Sequence, residues 1–402
     1  MKYRYRYKHK VEYGTEIKKL KWIDSDVGDK LFLSCGVNSE IFSPNYFGRV
    51  RVVYKATPNI FIYKLKNIIG CIESSSFYCK KNIYVERFQG VEQVKANYAA
   101  GHLMINHSCF CVTHKYNDYL KLSGKALFLG GNGSGNYFHW IIEILPKLTS
   151  FLKQRSNIEL IDYIVVNERV REVESFASSL TIVMAYYKID TPIKYVNVNT
   201  AIYFDEVLYI TTFNHVLFNS RDKYNQDYCY FSKENLLDLS RIFTFDVDYN
   251  ITLKDKFPSI FFIKRGRGIS GYNKRNYNED EIVGVVSHLN IKCIYIEDYS
   301  FVEQVKLFSN AKLIIAPSGA FFTNLIFCKK NTSIISWLTP NLSDFSVYST
   351  ISHLFDLDMN FILAEQSQNE GIHGEYYLNP NEFRNFLSQA LAKIENNITE
   401  VY

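Results

Sequence analysis

The chain alternates short apolar runs with turns rich in glycine, asparagine and charge, and one stretch carries the clearest pattern. An apolar run at 126–129 feeds the loop Gly130-Gly131-Asn132-Gly133-Ser134-Gly135-Asn136. Phe138, Ile141, Ile142, Leu145, Leu148 and Leu152 then recur at the helical period, with Trp140, Ile144 and Phe151 widening the apolar face. The order is strand, loop, helix. One polar stripe remains, His139, Glu143, Lys147, Ser150 and Gln154, whose first two members lie one turn apart.

The same reading extends along the chain. Residues 22–125 read as short strands and turns, at 30–34, 49–54, 60–63, 68–73, 82–88 and 102–112, a β-rich opening layer. From 126 onward strands and helices alternate, with strands at 162–166, 193–198 and 206–211 and helices within 171–187 and 233–243. Such alternation predicts a parallel sheet covered by helices. A polar run at 246–256 ahead of Pro258 reads as a hinge. Beyond it come strands at 259–264, 291–296, 312–316 and 333–337 and helices at 279–289, 301–310 and 321–327. Residues 341–402 add a strand at 360–363 and a helix at 381–395. The expected fold class is α/β, with domains at 1–245 (β-rich 1–125, Rossmann-like 126–245) and 246–345, and a closing segment at 346–402.

Several positions carry candidate chemistry. Gly133, Ser134, Gly135 and Asn136 precede a helix start, where close backbone approach and free amides suit an acceptor or a phosphate. His139, in the first turn beside that loop, is a candidate base for a hydroxyl proton, with Glu143 fixing its tautomer; the alternative is a solvated helix face. Lys264-Arg265-Gly266-Arg267-Gly268, followed by Lys274-Arg275, sits at a strand's carboxyl end, where guanidinium groups suit phosphate oxygens. A solvated basic loop is the plainer reading. Ser318, Gly319 and Ala320 form a second small-residue turn at a helix start, and Thr323 and Asn324 follow inside an apolar run, facing either a ligand or a neighbouring loop. Asp298 is a further polar residue after a strand.

Charge changes the picture at the N-terminus only. The net charge of +5 is concentrated in residues 1–21, where basic residues alternate with tyrosine at Lys2-Tyr3-Arg4-Tyr5-Arg6-Tyr7-Lys8. Cations beside an anionic leaflet contribute roughly 1 kcal/mol each, so a weak membrane-surface contact fits there, with a solvated edge strand as the other reading and both ahead of nucleic acid, for which no module follows. The chain shows neither a spanning apolar run nor a signal-peptide pattern, so the cytoplasm is the expected compartment and its 8 cysteines are expected to be reduced thiols. His107, Cys109 and Cys111, with His102 and His114 near, raise a metal site; without a second ligand pair a core-facing strand is the better reading.

Together, Gly135-Asn136-Tyr137-Phe138-His139-Trp140, Leu145-Pro146, Phe262-Ile263-Lys264-Arg265, Asn278-Glu279-Asp280, Glu303-Gln304 and Ala316-Pro317-Ser318-Gly319-Ala320 with Thr323-Asn324-Leu325-Ile326-Phe327 resemble glycosyltransferase family 61. The resemblance implies a GT-B architecture, two Rossmann-like domains facing across a cleft, and an inverting sugar transfer that needs no metal. It implies a nucleotide-sugar donor on the second domain, Asn278 among its contacts, and a glycan or lipid-linked acceptor on the first. Bacterial members that look like this chain serve capsule, lipopolysaccharide or related surface-glycan assembly. The chain departs from the family turn at Ser318-Gly319-Ala320-Phe321, and Ser336-Trp337 stands where an acidic residue often follows the last strand. Two rival readings are a metal-dependent GT-A transferase, using Asp246-Val247-Asp248 or Asp356-Leu357-Asp358, and a non-catalytic glycan-binding scaffold of the same shape.

Overall fold

In the computed structural model the strand feeding the glycine loop extends over Leu120–Leu129 and runs parallel to a neighbour on each side, Tyr163–Asn167 and Ala201–Ile210. The structure describes residues 14–26, 29–46, 48–86, 102–107, 110–154, 160–216, 229–249, 257–266, 275–366 and 374–399. The chain divides into two compact units. The first comprises residues up to 37, 56–180 and 187–213; the second comprises 38–55, 181–186 and the chain from 214 onward.

The sheet of the first unit has eleven strands among the described residues. Their order is Ile193–Val196, Tyr163–Asn167, Leu120–Leu129, Ala201–Ile210, Ile60–Cys71, Ser76–Cys79, Asn82–Val85, Gly14–Trp22, Phe110–Lys115 and Leu103–His107, with Lys30–Ser34 added on Ile60–Cys71. Four consecutive strands at one end are parallel. Ile60–Cys71 then joins antiparallel to Ala201–Ile210, in register from Ala201↔Cys71 to Ile210↔Ile62. The expected β-rich layer and Rossmann-like part are therefore one continuous sheet, because the hydrogen-bonding edge of Ala201–Ile210 is covered by a long strand from the N-terminal region. A shared core follows, in which Phe77 and Phe204 pack edge-on against Phe128 with Tyr63, Ile68 and Val165 around them.

The second unit is built on a five-stranded sheet in which every pairing is parallel, in the order Lys292–Ile294, Ile260–Ile263, Leu313–Ile315, Ser333–Leu338, Asp358–Leu363. Helices Glu279–His288, Phe301–Ser309, Val347–Leu354 and Pro380–Thr399 accompany it. Ile315, Ile335 and Phe262 are fully enclosed, as strands covered on both faces require. The units differ from the expected boundaries. Helix Lys233–Tyr249 continues into the presumed hinge, and residues 346–402 supply a strand and a helix of this unit. Residues 38–55 also belong here, since the Phe42 amide donates to Thr350 Oγ1 at 3.0 Å and the Phe42 ring stacks on His353 at 3.9 Å.

Gly14–Trp22 is paired along both edges, and Lys18 is buried, its ammonium 2.9 Å from Glu16 and 2.8 Å from the Lys80 carbonyl. That cation is not available to a surface. Residues 1–13 of the basic segment, together with Arg267, Lys274 and Cys109, lie outside the described residues.

Candidate active site

The helix after the glycine loop starts at Tyr137, where Asn136 caps it by accepting the Phe138 amide through Oδ1 at 2.9 Å. It then widens to a π-turn over Trp140–Ile144 before resuming as an α-helix over Leu145–Lys153. Pro146 accounts for the wide turn: it brings no N–H, and its ring collides with the carbonyl four residues back in regular α geometry. The turn keeps His139 and Glu143 in register, and His139 Nδ1 lies 2.6 Å from Glu143 Oε2. An ionised carboxylate only accepts, so within this pair Nδ1 is the donor. The loop is shaped around this ring. Gly133, at φ +77°, comes so near that a Cβ would stand 2.4 Å from His139 Cδ2.

Ser134, Gly135 and Asn136 have other duties. Ser134 is buried, donating to the Ile72 carbonyl at 3.1 Å and accepting from Asn167 Nδ2 at 2.9 Å. The amides of Gly131, Ser134 and Asn136 bond to carbonyls of Ile72, Gly131 and Gly133. The described hydrogen bonds hold the loop as a rigid saddle for His139.

The polar stripe, for which a solvated helix face was the alternative reading, is buried at Glu143 and Lys147. Glu143 and Lys147 are 6% and 2% exposed, and the Lys147 ammonium stands 4.9 Å from the centre of the Tyr209 ring. The Tyr209 hydroxyl donates to Glu86, itself buried, which also accepts from the Thr212 amide at 2.6 Å and the Thr212 hydroxyl at 3.0 Å. Burial pushes the Lys147 ammonium below its ordinary pKa, opposed by Glu86 and Glu143, and burial with Glu86 raises the Tyr209 phenol. These groups gather at the carboxyl ends of Leu120–Leu129 and Ala201–Ile210, where the order of the parallel strands reverses, the place such sheets hold ligands.

The second unit has its own reversal, between Ile260–Ile263 and Leu313–Ile315. Arg265 follows the first of these strands and Ser318 the second. There a cleft enclosing about 280 Å³, part of it open to solvent, is lined by Arg265, Arg275, Ser318, Trp337, Thr339 and Tyr376, among others. Arg265 is clamped at its backbone, its amide donating to Glu279 Oε2 at 2.9 Å, while its Nη2 reaches the Tyr376 hydroxyl at 3.4 Å. Trp337 Nε1 donates to the same hydroxyl at 3.0 Å, and Tyr376 stacks on Tyr277 at 5.4 Å. Arg265 Nε, Thr339 Oγ1 and Ser336 Oγ are buried without a hydrogen-bond partner among the described residues, a cost proteins rarely carry without a ligand or ordered water to relieve it. Arg275, at φ +41°, occupies left-handed backbone space uncommon for a residue with a side chain.

Residues 137–335 match the family model described as Glycosyltransferase 61. The chain carries a glycosyltransferase 61 domain. It is a glycosyltransferase, and the matched segment runs from the turn that holds His139 through the loops that hold Arg265 and Ser318. No curated protein matches the chain.

The glycosyltransferase 61 segment contains His139, Glu143 and the described donor-side candidates, with Gly133, Ser134, Gly135 and Asn136 just ahead of it, but not all of these residues face open space. His139 and Glu143 form their pair, and Arg265, Arg275 and Ser318 line one cleft. Lys264 instead leans over the Tyr295 ring at 5.1 Å, 3.8 Å from Glu279, and its contact with Tyr295 raises its pKa. Asn278 is spent on the backbone of Leu378, donating at 3.0 Å and accepting at 2.9 Å. Thr323 donates to the Ala320 carbonyl at 2.6 Å, and Asn324 donates to Gln304 at 2.9 Å. Gly319 caps the 3-10 helix Ala320–Phe327, and Asp298 is exposed at the end of another, Ile296–Asp298. Of the two Asp-x-Asp patterns, the side chains of Asp246 and Asp248 lie outside the described residues. Asp356 and Asp358 are engaged by Lys330 at 3.5 Å and Lys393 at 2.7 Å, at the start of a strand. No group of three or more metal-ligating side chains occurs among the described residues. Tyr209, Glu86, Thr339 and Tyr376 escaped the sequence reading, each sitting singly in an apolar or featureless stretch.

Proposed function

We propose that the chain is an inverting, metal-independent glycosyltransferase of GT-B arrangement, taking a sugar from a nucleotide-sugar donor to a hydroxyl of a growing surface glycan. The observation that carries this reading is the cleft at the strand reversal of the second unit, lined by Arg265 and Arg275, where Arg265 Nε and Thr339 Oγ1 are buried without a partner among the described residues. Guanidinium groups in that position suit the diphosphate of the donor. His139 Nε2 takes the proton of the acceptor hydroxyl as its oxygen attacks the anomeric carbon. The bond from that carbon to the phosphate oxygen breaks, and its electron pair leaves with the nucleoside diphosphate, whose charge Arg265 and Arg275 offset. Glu143 stabilises the imidazolium formed. A positioned base contributes about 10²- to 10⁴-fold in rate, and each donor aimed at developing charge about 10²- to 10³-fold. The enzyme acts in the cytoplasm, with the basic segment ahead of Gly14 resting weakly on the inner membrane surface and capsule, lipopolysaccharide or a related polymer as product.

Titration calorimetry with nucleoside diphosphates tests the donor site. Micromolar binding by the unsubstituted protein, lost in Arg265→Ala and unaffected by EDTA, is the expected result. Absence of binding to any nucleoside diphosphate overturns the reading and favours a scaffold.

A further inference from the structure

The buried file behind His139 holds more charge than the transfer reaction uses. Glu143, one turn along the helix from His139, is followed one turn later by Lys147, and both are almost completely withdrawn from water. Across from them, strand Ala201–Ile210 presents Tyr209 under the Lys147 ammonium, and Glu86 lies behind Tyr209 with three donors on its carboxylate. Tyr63, on Ile60–Cys71, also feels Glu86, with exposed Asp24 as a second charge. A buried ammonium is costly unless carboxylates surround it, and two carboxylates beside a base would hold it protonated unless a cation offset one of them.

We infer that Lys147 sets the charge balance behind the acid–base pair: its buried ammonium offsets one of the two carboxylates, Glu143 and Glu86, so that His139 answers to the charge of one carboxylate when it accepts a proton. The inference rests on the assignment of His139 as the base. With His139 neutral the file of Glu143, Lys147 and Glu86 carries one net negative charge, and that charge is neutralised when the imidazole takes a proton from the acceptor. The lysine thus keeps the driving force for proton uptake at one charge instead of two.

The sign of the effect separates this role from packing. Lys147→Met removes a positive charge and is expected to raise the pH at which the His139 ring half-protonates by about one unit, a tenfold change, as a charge acting through partly buried surroundings produces. Glu86→Gln removes a negative charge and is expected to lower it by a similar factor. Lys147→Arg keeps the charge and returns the midpoint to that of the unsubstituted protein. The measurement is an NMR pH titration of the full-length chain labelled in histidine, with the His139 resonance assigned by its loss in His139→Gln. The acid limb of kcat/KM for transfer should move with the ring, upward for Lys147→Met and downward for Glu86→Gln. Midpoints unchanged in both variants, or shifted in the same direction in both, overturn the inference. If Lys147→Met does not fold, the direction seen in Glu86→Gln decides alone. The NMR arm needs no turnover, so continued transfer by His139→Ala would remove the base assignment without altering what the titration says about the charges.

Discussion

Gly133 and His139 are in contact through an absent side chain: a Cβ on Gly133 would stand 2.4 Å from Cδ2 and 3.0 Å from Nε2 of the imidazole. The backbone there is at φ +77°, so both the space and the conformation demand glycine. Gly133→Ala is expected to push the ring off its pairing with Glu143. About 10²-fold of turnover should be lost, the scale of a small misplacement of a reacting group, together with roughly 1–2 kcal/mol of stability from the left-handed backbone. Gly135 has nothing closer than 3.6 Å to such a Cβ, and Gly135→Ala should leave turnover within a few-fold. Steady-state rates and thermal melts of the two variants side by side check the contrast.

Removal of the base and of its orienter should differ in size. His139→Ala is expected to cut transfer about 10²- to 10⁴-fold with the melting temperature near that of the unsubstituted protein. Glu143→Gln keeps a hydrogen-bonding partner for Nδ1 but not the charge that stabilises the imidazolium, so a smaller loss is expected. Transfer assays at saturating donor, with circular dichroism to confirm the fold, give both numbers.

Donor affinity should follow the cleft and not the wider set of polar residues around it. Arg265→Lys removes the planar fork and its Nε, and a loss of roughly 1.5–3 kcal/mol in nucleoside diphosphate binding is expected from the charged hydrogen bonds forfeited. Asn278→Ala cuts both hydrogen bonds to the Leu378 backbone. That change should lower stability by about 1–3 kcal/mol and leave affinity largely intact. Calorimetry and denaturant melts of the pair separate the two effects.

Acid stability should carry the mark of a buried histidine in the first unit. His102 is fully enclosed, with Nε2 3.0 Å from the Ser76 hydroxyl, and burial, assisted by His114 and Lys18, lowers its pKa to about 3. The unfolded chain binds the proton near the ordinary value of about 6.5, so folding favours the neutral ring. Stability from this site is complete above the unfolded pKa and falls as pH drops from about 6.5 toward about 3, by up to about 1.4 kcal/mol per pH unit. His102→Gln should flatten that slope in denaturant unfolding measured across the window, whatever its effect at neutral pH.

Periodicity carried much of this molecule. Helix Glu279–His288 and the strands Ser333–Leu338 and Ile260–Ile263 stand within a residue or two of the apolar runs that announced them, and the pairing of His139 with Glu143 followed from a spacing of four. Other features depend on partners distant in sequence. Nothing local says that Ile60–Cys71 will close the edge of Ala201–Ile210, or that Glu86 will meet Tyr209 across 123 positions. Lys147 looked solvated because lysine usually is, and only the tertiary counter-charges make its burial tolerable. Thr323 and Asn324 invited a ligand reading since polar residues in an apolar run need partners; the partners turned out to be Ala320 and Gln304. Tyr376, from the far end of the chain, joins the cleft through a hydroxyl shared by Trp337 and Arg265, a meeting no motif encodes.

The wide turn at Trp140–Ile144 places one surplus residue inside an otherwise regular rod. Excising a single residue there would rotate everything upstream by about 100° relative to Leu145–Lys153. Either the apolar side chains of the rod or the imidazole could then keep its seat, but not both. Length at this point is thus under tighter constraint than the identity of most side chains near it, and single-residue deletions across 140–145 should be silenced where many substitutions survive.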